Sequence, residues 1–303
     1  MEHGSDEVRF SAPGGPVLAG TLTLPPSRPL RSAVLMIGGS GPTERTNDGF
    51  FDPVRAELLG RGAAVLTYDK RGAGLSAGTW STADVHDLAA DAAAGLALLR
   101  ARTDVRLDRV VVFGHSEGAW VALRLGVLCP DLGRLVLSSG PSVPFLDAEV
   151  HALRTGGMPA SRAARAGDHL AELARLAAAG LDADVGREQT DAVRREDWFA
   201  ELEAAGFRLD DVAWAQLRAW GGYDPHPDLL ALGVSTLSLF GSDDPLVPVA
   251  GSIAVNEGTA VLAGRTHVNE VVPGVGHRMS AAPGQDPSLR FLACVGDWCS
   301  FAG

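Results

Sequence analysis

The feature that most limits the fold is a set of short apolar runs that stop at glycine or at a charge. "SAVLMIGG" (Ser32–Gly39) and "AAVLTYD" (Ala63–Asp69) are the clearest, and the β-branched run ending at Phe113 is a third. A strand that is apolar throughout requires a sheet covered on both faces. Helical spacing fills the intervals. "DPVRAELLGRG" follows the first run and ends in glycine, Ser81–Arg100 is rich in Ala and Leu with acids near its start, and Glu117–Leu128 predicts a further helix. Strands are expected at Arg109–Phe113 and Arg134–Ser138, and Glu7–Pro25 reads as a hairpin around a Pro/Gly turn.

After Gly140 this rhythm breaks. Residues 141–223 hold only helical segments, such as "SRAARAGDHLAELARLAAAG" and "DVAWAQLRAWGG". Strands resume at Val234–Gly241 and His267–Gly274, with a helix after Pro248 between them and a tail helix over Ser288–Trp298. Strands alternating with helices predict an α/β fold with a doubly wound, mostly parallel sheet. Residues 1–140 and 224–303 form the expected core. Residues 141–223 are then a helical cap inserted between two late strands.

Composition narrows the function. A chain of 303 residues can bury a substantial core. A net charge of −11 without a basic stripe excludes a nucleic-acid partner. The first ten residues are polar and acidic, unlike a signal peptide, and no apolar run reaches the roughly 18 residues that span a bilayer. Cys129, Cys294 and Cys299 have neither metal-ligand spacing nor the look of a secreted disulfide framework, so free thiols are expected. These features point to a soluble cytoplasmic protein with a small-molecule partner and no membrane. Lys70 is the only lysine among 26 basic residues, which reads as codon bias beside the abundance of Ala, Gly and Arg.

Three points of the layout fall at the C-terminal ends of strands, where open α/β sheets build their sites. The first is "GHSEG", in which Gly114, Ser116 and Gly118 fit G-x-S-x-G between a strand and a helix. A nucleophile on so tight a turn allows no bulk at its neighbours. The bland alternative is a serine capping a helix. The second is "FGSDDPLVP", where a carboxylate beyond a late strand can orient a histidine. The spacing favours Asp244 and leaves Asp243 as a cap or surface charge. The third is "PGVGHRM", which puts His277 in a Gly/Pro-rich loop after the last strand. His3 lies in the tail, and His86, His151, His169, His226 and His267 fit that role less well. His115 is expected to pack beside the elbow. The order Ser116, Asp244, His277, each after its own strand, is that of a catalytic triad.

Acyl transfer also needs donors for an oxyanion. One is the backbone N–H of Glu117. The other is expected from "GGSGPTERTNDG", at Ser40, with Gly39 as runner-up. This glycine-rich loop lacks both the G-K-[ST] ending of a P-loop and the G-x-G-x-x-G pattern of a dinucleotide site.

Taken together, "GSGP", "YDKRGAGLS", "GHSEG", "YDP", "GSDDPLVP" and "GVGH" resemble the α/β-hydrolase superfamily, in its bacterial serine esterase-like branch. The resemblance covers Val8 to about Gly140 and Tyr223 to the C-terminus. It implies an eight-stranded sheet, catalysis without a cofactor or metal, and a structural turn at Asp69, Arg71, Gly72, Gly74 and Ser76. One departure is Gly38, where many relatives carry histidine.

The cap would supply the other wall of a substrate pocket. Trp198, Phe199, Trp214, Trp220 and Tyr223 concentrate aromatic residues there, which suggests an apolar acyl or alcohol group, although each could equally hold cap helices together. Acids outnumber arginines there by 14 to 9, which disfavours a strongly anionic substrate. The expected activity is hydrolysis of a carboxylic ester or thioester through an acyl-enzyme on Ser116. The alternatives are acyl transfer or cyclisation from the same intermediate, peptide cleavage with Glu117 holding a substrate amine, and a non-catalytic binding protein on the same scaffold.

Overall fold

The computed structural model describes residues 4–26, 29–103 and 105–301. Strands β1 (Gly4–Phe10) and β2 (Leu18–Leu24) form the expected hairpin, with Gly4 opposite Leu24 and Phe10 opposite Leu18. The remaining strands are β3 (Ser32–Ile37), β4 (Ala63–Tyr68), β5 (Val110–His115), β6 (Arg134–Ser138), β7 (Ser235–Gly241) and β8 (His267–Val272). Among the described residues these eight form one sheet in the order β1-β2-β4-β3-β5-β6-β7-β8. β2 pairs antiparallel with β4, and every pairing from β4 across to β8 is parallel.

The helices follow in chain order: α1 (Phe51–Gly60), α2 (Val85–Thr103) and α3 (Glu117–Leu128) alternate with the first strands. Between β6 and β7 come α4 (Phe145–Thr155), α5 (Ala160–Ala178), α6 (Ala183–Val193), α7 (Phe199–Ala204), α8 (Asp211–Trp220) and α9 (His226–Ala231). α10 (Val249–Ala263) precedes β8, and α11 (Leu289–Cys299) closes the chain. None of the described helices is long and apolar enough to cross a membrane. The three cysteines are free thiols.

The apolar runs are explained by burial on both faces. Ala33, Leu35 and Ile37 of β3 enter a core with Leu88, Leu96 and Leu99 of α2 and Val121 and Leu125 of α3. Val34 and Met36 point the other way, to Val54 and Leu58 of α1 and Phe291 and Val295 of α11. Successive strand residues face opposite sides, so both sets must be apolar.

One boundary differs from the sequence pattern. α2 begins at Val85 rather than Ser81, because the Asp84 carboxylate accepts the N–H groups of His86 and Asp87 at 2.8 and 2.9 Å. The preceding turn is used elsewhere. Gln216 Nε2 donates to the Ser81 carbonyl (2.7 Å) and Trp220 Nε1 to the Ala83 carbonyl (3.0 Å), which pins α8 to the core.

α4–α8 carry two small cores of their own. Met158, Ala163, Trp198, Phe199 and Leu202 form one; Leu173, Ala177, Trp214 and Leu217 form the other. α9 instead joins the core of the sheet through Leu229, and its Asp228 pairs with Arg124 of α3 at 2.7 Å.

Candidate active site

β5 delivers the chain to Ser116 and α3 carries it away. The turn between them is so sharp that Ser116 adopts φ 55° and ψ −124°. That is a costly conformation for a residue with a side chain. It is held by Ser116 N–H donating to the Ser138 carbonyl and by Ala119 N–H donating to the Ser116 carbonyl, both at 2.9 Å. The two flanking glycines have a steric cause. A Cβ at Gly114 would lie 2.1 Å from the Gly118 oxygen, and one at Gly118 would lie 2.4 Å from the Ile37 oxygen.

Ser116 makes no capping bond to α3. Its Oγ lies 3.0 Å from His277 Nε2 instead. His277 Nδ1 lies 2.9 and 3.1 Å from the two oxygens of Asp244, whose side chain has no exposed surface. The Leu246 and Val247 amides donate to Asp244 Oδ1 at 2.9 and 3.3 Å, so the carboxylate is fixed from behind. The choice between neighbouring acids is therefore geometric. Asp243 is exposed and its side chain accepts the Ser242 hydroxyl, while its N–H donates to the Val275 carbonyl and ties the acid loop to the histidine loop.

His115 packs its ring 4.4 Å from Phe50 and 5.1 Å from His277. Burial, helped by the Arg278 charge, holds its pKa well below 6.5, so it stays neutral beside the site. His3 lies outside the described residues. No group of three or more His, Cys, Asp or Glu side chains that could hold a metal ion occurs among the described residues.

The loop after β3 crosses directly over the elbow: a Cβ at Gly39 would sit 3.3 Å from that of Ser116. The two candidate amides of this loop differ. Gly39 N–H is already given to Asn47 Oδ1 at 3.3 Å, whereas Ser40 N–H has no acceptor among the described residues. Glu117 N–H heads α3, where helix amides lack intrahelical acceptors. The absence of histidine at Gly38 also has a local cause, since a Cβ there would lie 2.6 Å from Thr43 Oγ1.

Two further side chains, Lys70 and Glu117, meet beside this site. Lys70 is buried, donating to the Gly39 carbonyl and to Glu117 Oε1, the latter at 2.7 Å. Its isolation among arginines is the one signal of this role in the sequence, and codon bias does not account for its burial. Glu117 is consequently engaged and 8% exposed, not free to meet a substrate amine. The neighbouring turn is structural: Arg45 clasps both oxygens of Asp69 (3.0 and 2.8 Å), and Leu75 N–H donates to Asp69 Oδ2.

The cap aromatics sit differently from the expected pocket wall. Trp198 and Trp214 are buried in the two cap cores. Trp220 is 1% exposed and stacks 5.9 Å from Trp120 of α3, and Tyr223 packs edge-on against both. They hold cap helices to each other and to the core. A cavity of about 320 Å³ in the cap is lined instead by Phe145, Leu153, Leu170, Phe207 and Leu217, with Glu149 among them. Glu149 lines this cavity, and desolvation by the surrounding protein pushes its carboxyl pKa up.

A family model described as "Alpha/beta hydrolase family" matches residues 34–292. The chain belongs to the alpha/beta hydrolase family. An uncharacterized protein of Mycobacterium tuberculosis is 38% identical over 147 residues, 46% of this chain and 49% of that one. The chain thus spans about half the length of the curated relatives it matches. Similar solved structures cover nearly all of it. The Pyrococcus furiosus esterase Pf2001 has a TM-score of 0.64 at 18% identity, covering 98% of this chain and 90% of its own. A thermophilic esterase from Thermogutta terrifontis (TM-score 0.59, 22% identity) and a Mycobacterium smegmatis proline iminopeptidase (0.60, 16%) each cover 97% of both chains. At these identities the likeness is one of fold.

Proposed function

We propose that this alpha/beta hydrolase cleaves a carboxylic ester or thioester through an acyl-enzyme on Ser116. The observation that carries the reading is the hydrogen-bonded line Ser116 Oγ, His277 Nε2, His277 Nδ1, Asp244 at the ends of β5, β7 and β8. Asp244 holds the neutral imidazole with its proton on Nδ1, which leaves Nε2 free to accept the Ser116 proton. Ser116 Oγ then attacks the carbonyl carbon. The oxygen that gains charge is met by the N–H groups of Ser40 and Glu117, and the α3 dipole favours it. His277 returns the proton to the leaving group, then activates water to release the acid.

The mostly apolar cavity among α4, α5, α7 and α8 supports a substrate with a hydrocarbon part. The pairing of Glu117 with Lys70 weighs against a peptidase that would use Glu117 for a substrate amine. Short p-nitrophenyl esters test the reading. Wild-type protein hydrolyses them and Ser116→Ala does not; equal rates for the two would reject it. Mass spectrometry of the products separates transfer to water from transfer to an alcohol or amine.

A further inference from the structure

Lys70 is the only lysine among 26 basic residues, and it is 6% exposed. Its ammonium bridges two acceptors, the Gly39 carbonyl and the Glu117 carboxylate. Each belongs to a residue that carries or adjoins a candidate oxyanion donor. The Gly39 carbonyl and the Ser40 N–H are parts of one planar trans peptide group, so they point in opposite directions. Holding the carbonyl on Lys70 therefore turns the Ser40 N–H to the other side of the loop.

Such holding is needed here. "GGSG" (Gly38–Gly41) has almost no side chains to oppose a peptide flip, and glycine permits both orientations. Thr43 Oγ1 reaches the same carbonyl only at 3.4 Å, and Asn47 fixes the preceding amide rather than this one. A cation on the carbonyl also polarises the peptide, which strengthens its N–H as a donor. A branched, planar guanidinium would need more room than the compact ammonium between these two acceptors.

Resting on the proposed acyl-enzyme chemistry, we infer that the buried Lys70–Glu117 pair positions the oxyanion hole by fixing the Gly39–Ser40 peptide against the head of α3. Lys70 is a positioning residue in this scheme. It touches no reacting atom and acts through the Ser40 amide.

The test compares Lys70→Met with the double variant Lys70→Met/Glu117→Leu. The single change leaves a buried carboxylate without its partner and lowers stability; the double change removes both charges and recovers it. Positioning predicts that kcat on a short p-nitrophenyl ester falls about 100-fold in both variants, with KM within about threefold. It also predicts that the Ser40 amide resonance shifts in both. A double variant with recovered stability, wild-type kcat and an unmoved Ser40 resonance would overturn the inference and leave the pair as a structural one. If wild type hydrolyses no ester, the hydrolase reading fails by itself. The Ser40 resonance still decides whether Lys70 sets the peptide.

Discussion

Ser139 Oγ donates a 2.7 Å hydrogen bond to the backbone carbonyl of His277, across 138 residues of sequence. The bond ties the end of β6 to the loop that presents the imidazole. Ser139 itself takes φ 50° and donates its N–H to the Leu239 carbonyl, so this corner is anchored on β7 as well.

Ser139→Ala should therefore loosen His277 without touching the triad. One hydrogen bond of about 1 kcal/mol corresponds to roughly a fivefold loss. A kcat lowered roughly three- to tenfold on short esters, with unchanged fluorophosphonate access to Ser116, is expected from steady-state kinetics and labelling. An unchanged kcat would show that the loop holds itself.

The two neighbouring acids should separate cleanly. Asp244→Asn leaves the imidazole without its fixed carboxylate and is expected to reduce kcat by roughly ten-thousand-fold near neutral pH. Asp243→Asn changes an exposed group bonded to Ser242 and should stay within about twofold. Parallel kinetics of the two variants check the assignment, and comparable losses would refute it.

His267 predicts the acid sensitivity of the fold. Its ring accepts from Arg265 and bonds Ser238 Oγ, both at 2.8 Å, and burial beside the Arg265 charge lowers its pKa from 6.5 to about 3. Between those values the unfolded chain binds a proton that the native chain does not. Stability therefore rises with pH through this window and is lost as pH falls from about 6.5, by up to about 1.4 kcal/mol per unit for this group. His115 acts in the same direction. Urea midpoints from pH 7 to pH 5 should fall less steeply in His267→Gln than in wild type.

The elbow glycines should tolerate nothing larger. Gly118→Ala would force a methyl group into the Ile37 and Gly38 carbonyls, at 2.4 and 2.5 Å. Backbone cannot yield as a side-chain tip can, so a loss of about 3 kcal/mol is expected, with distortion of the turn. Thermal melting combined with Ser116 labelling reads both effects. A variant that melts like wild type would contradict the packing.

Trp220 anchors the end of α8 to the core. Its ring fills the space against Trp120 and Tyr223, and its N–H is satisfied by Ala83. Trp220→Ala should cost about 3–5 kcal/mol by truncating a buried indole. Thermal melting of the variant measures the loss.

The alternation of apolar runs and helical segments was enough to establish the parallel sheet, because only a sheet covered on both faces makes every residue of a strand apolar. The order of Ser116, Asp244 and His277 was equally legible, since each stands where its strand stops. Ser40 was favoured over Gly39 as well, but without its physical reason. That choice depends on Asn47 taking the Gly39 amide, a contact made by loop folding and invisible to spacing. The cap aromatics mislead for a related reason. Burial of an indole looks the same in sequence whether its neighbour is another helix or a substrate, and only packing told them apart. Lys70 is the sharpest case: composition registered one lysine, but its meaning required β4 to place that ammonium between the β3 loop and α3. Sequence fixes which groups a chain owns and where its strands end; which of those groups meet is decided by the packing of distant segments.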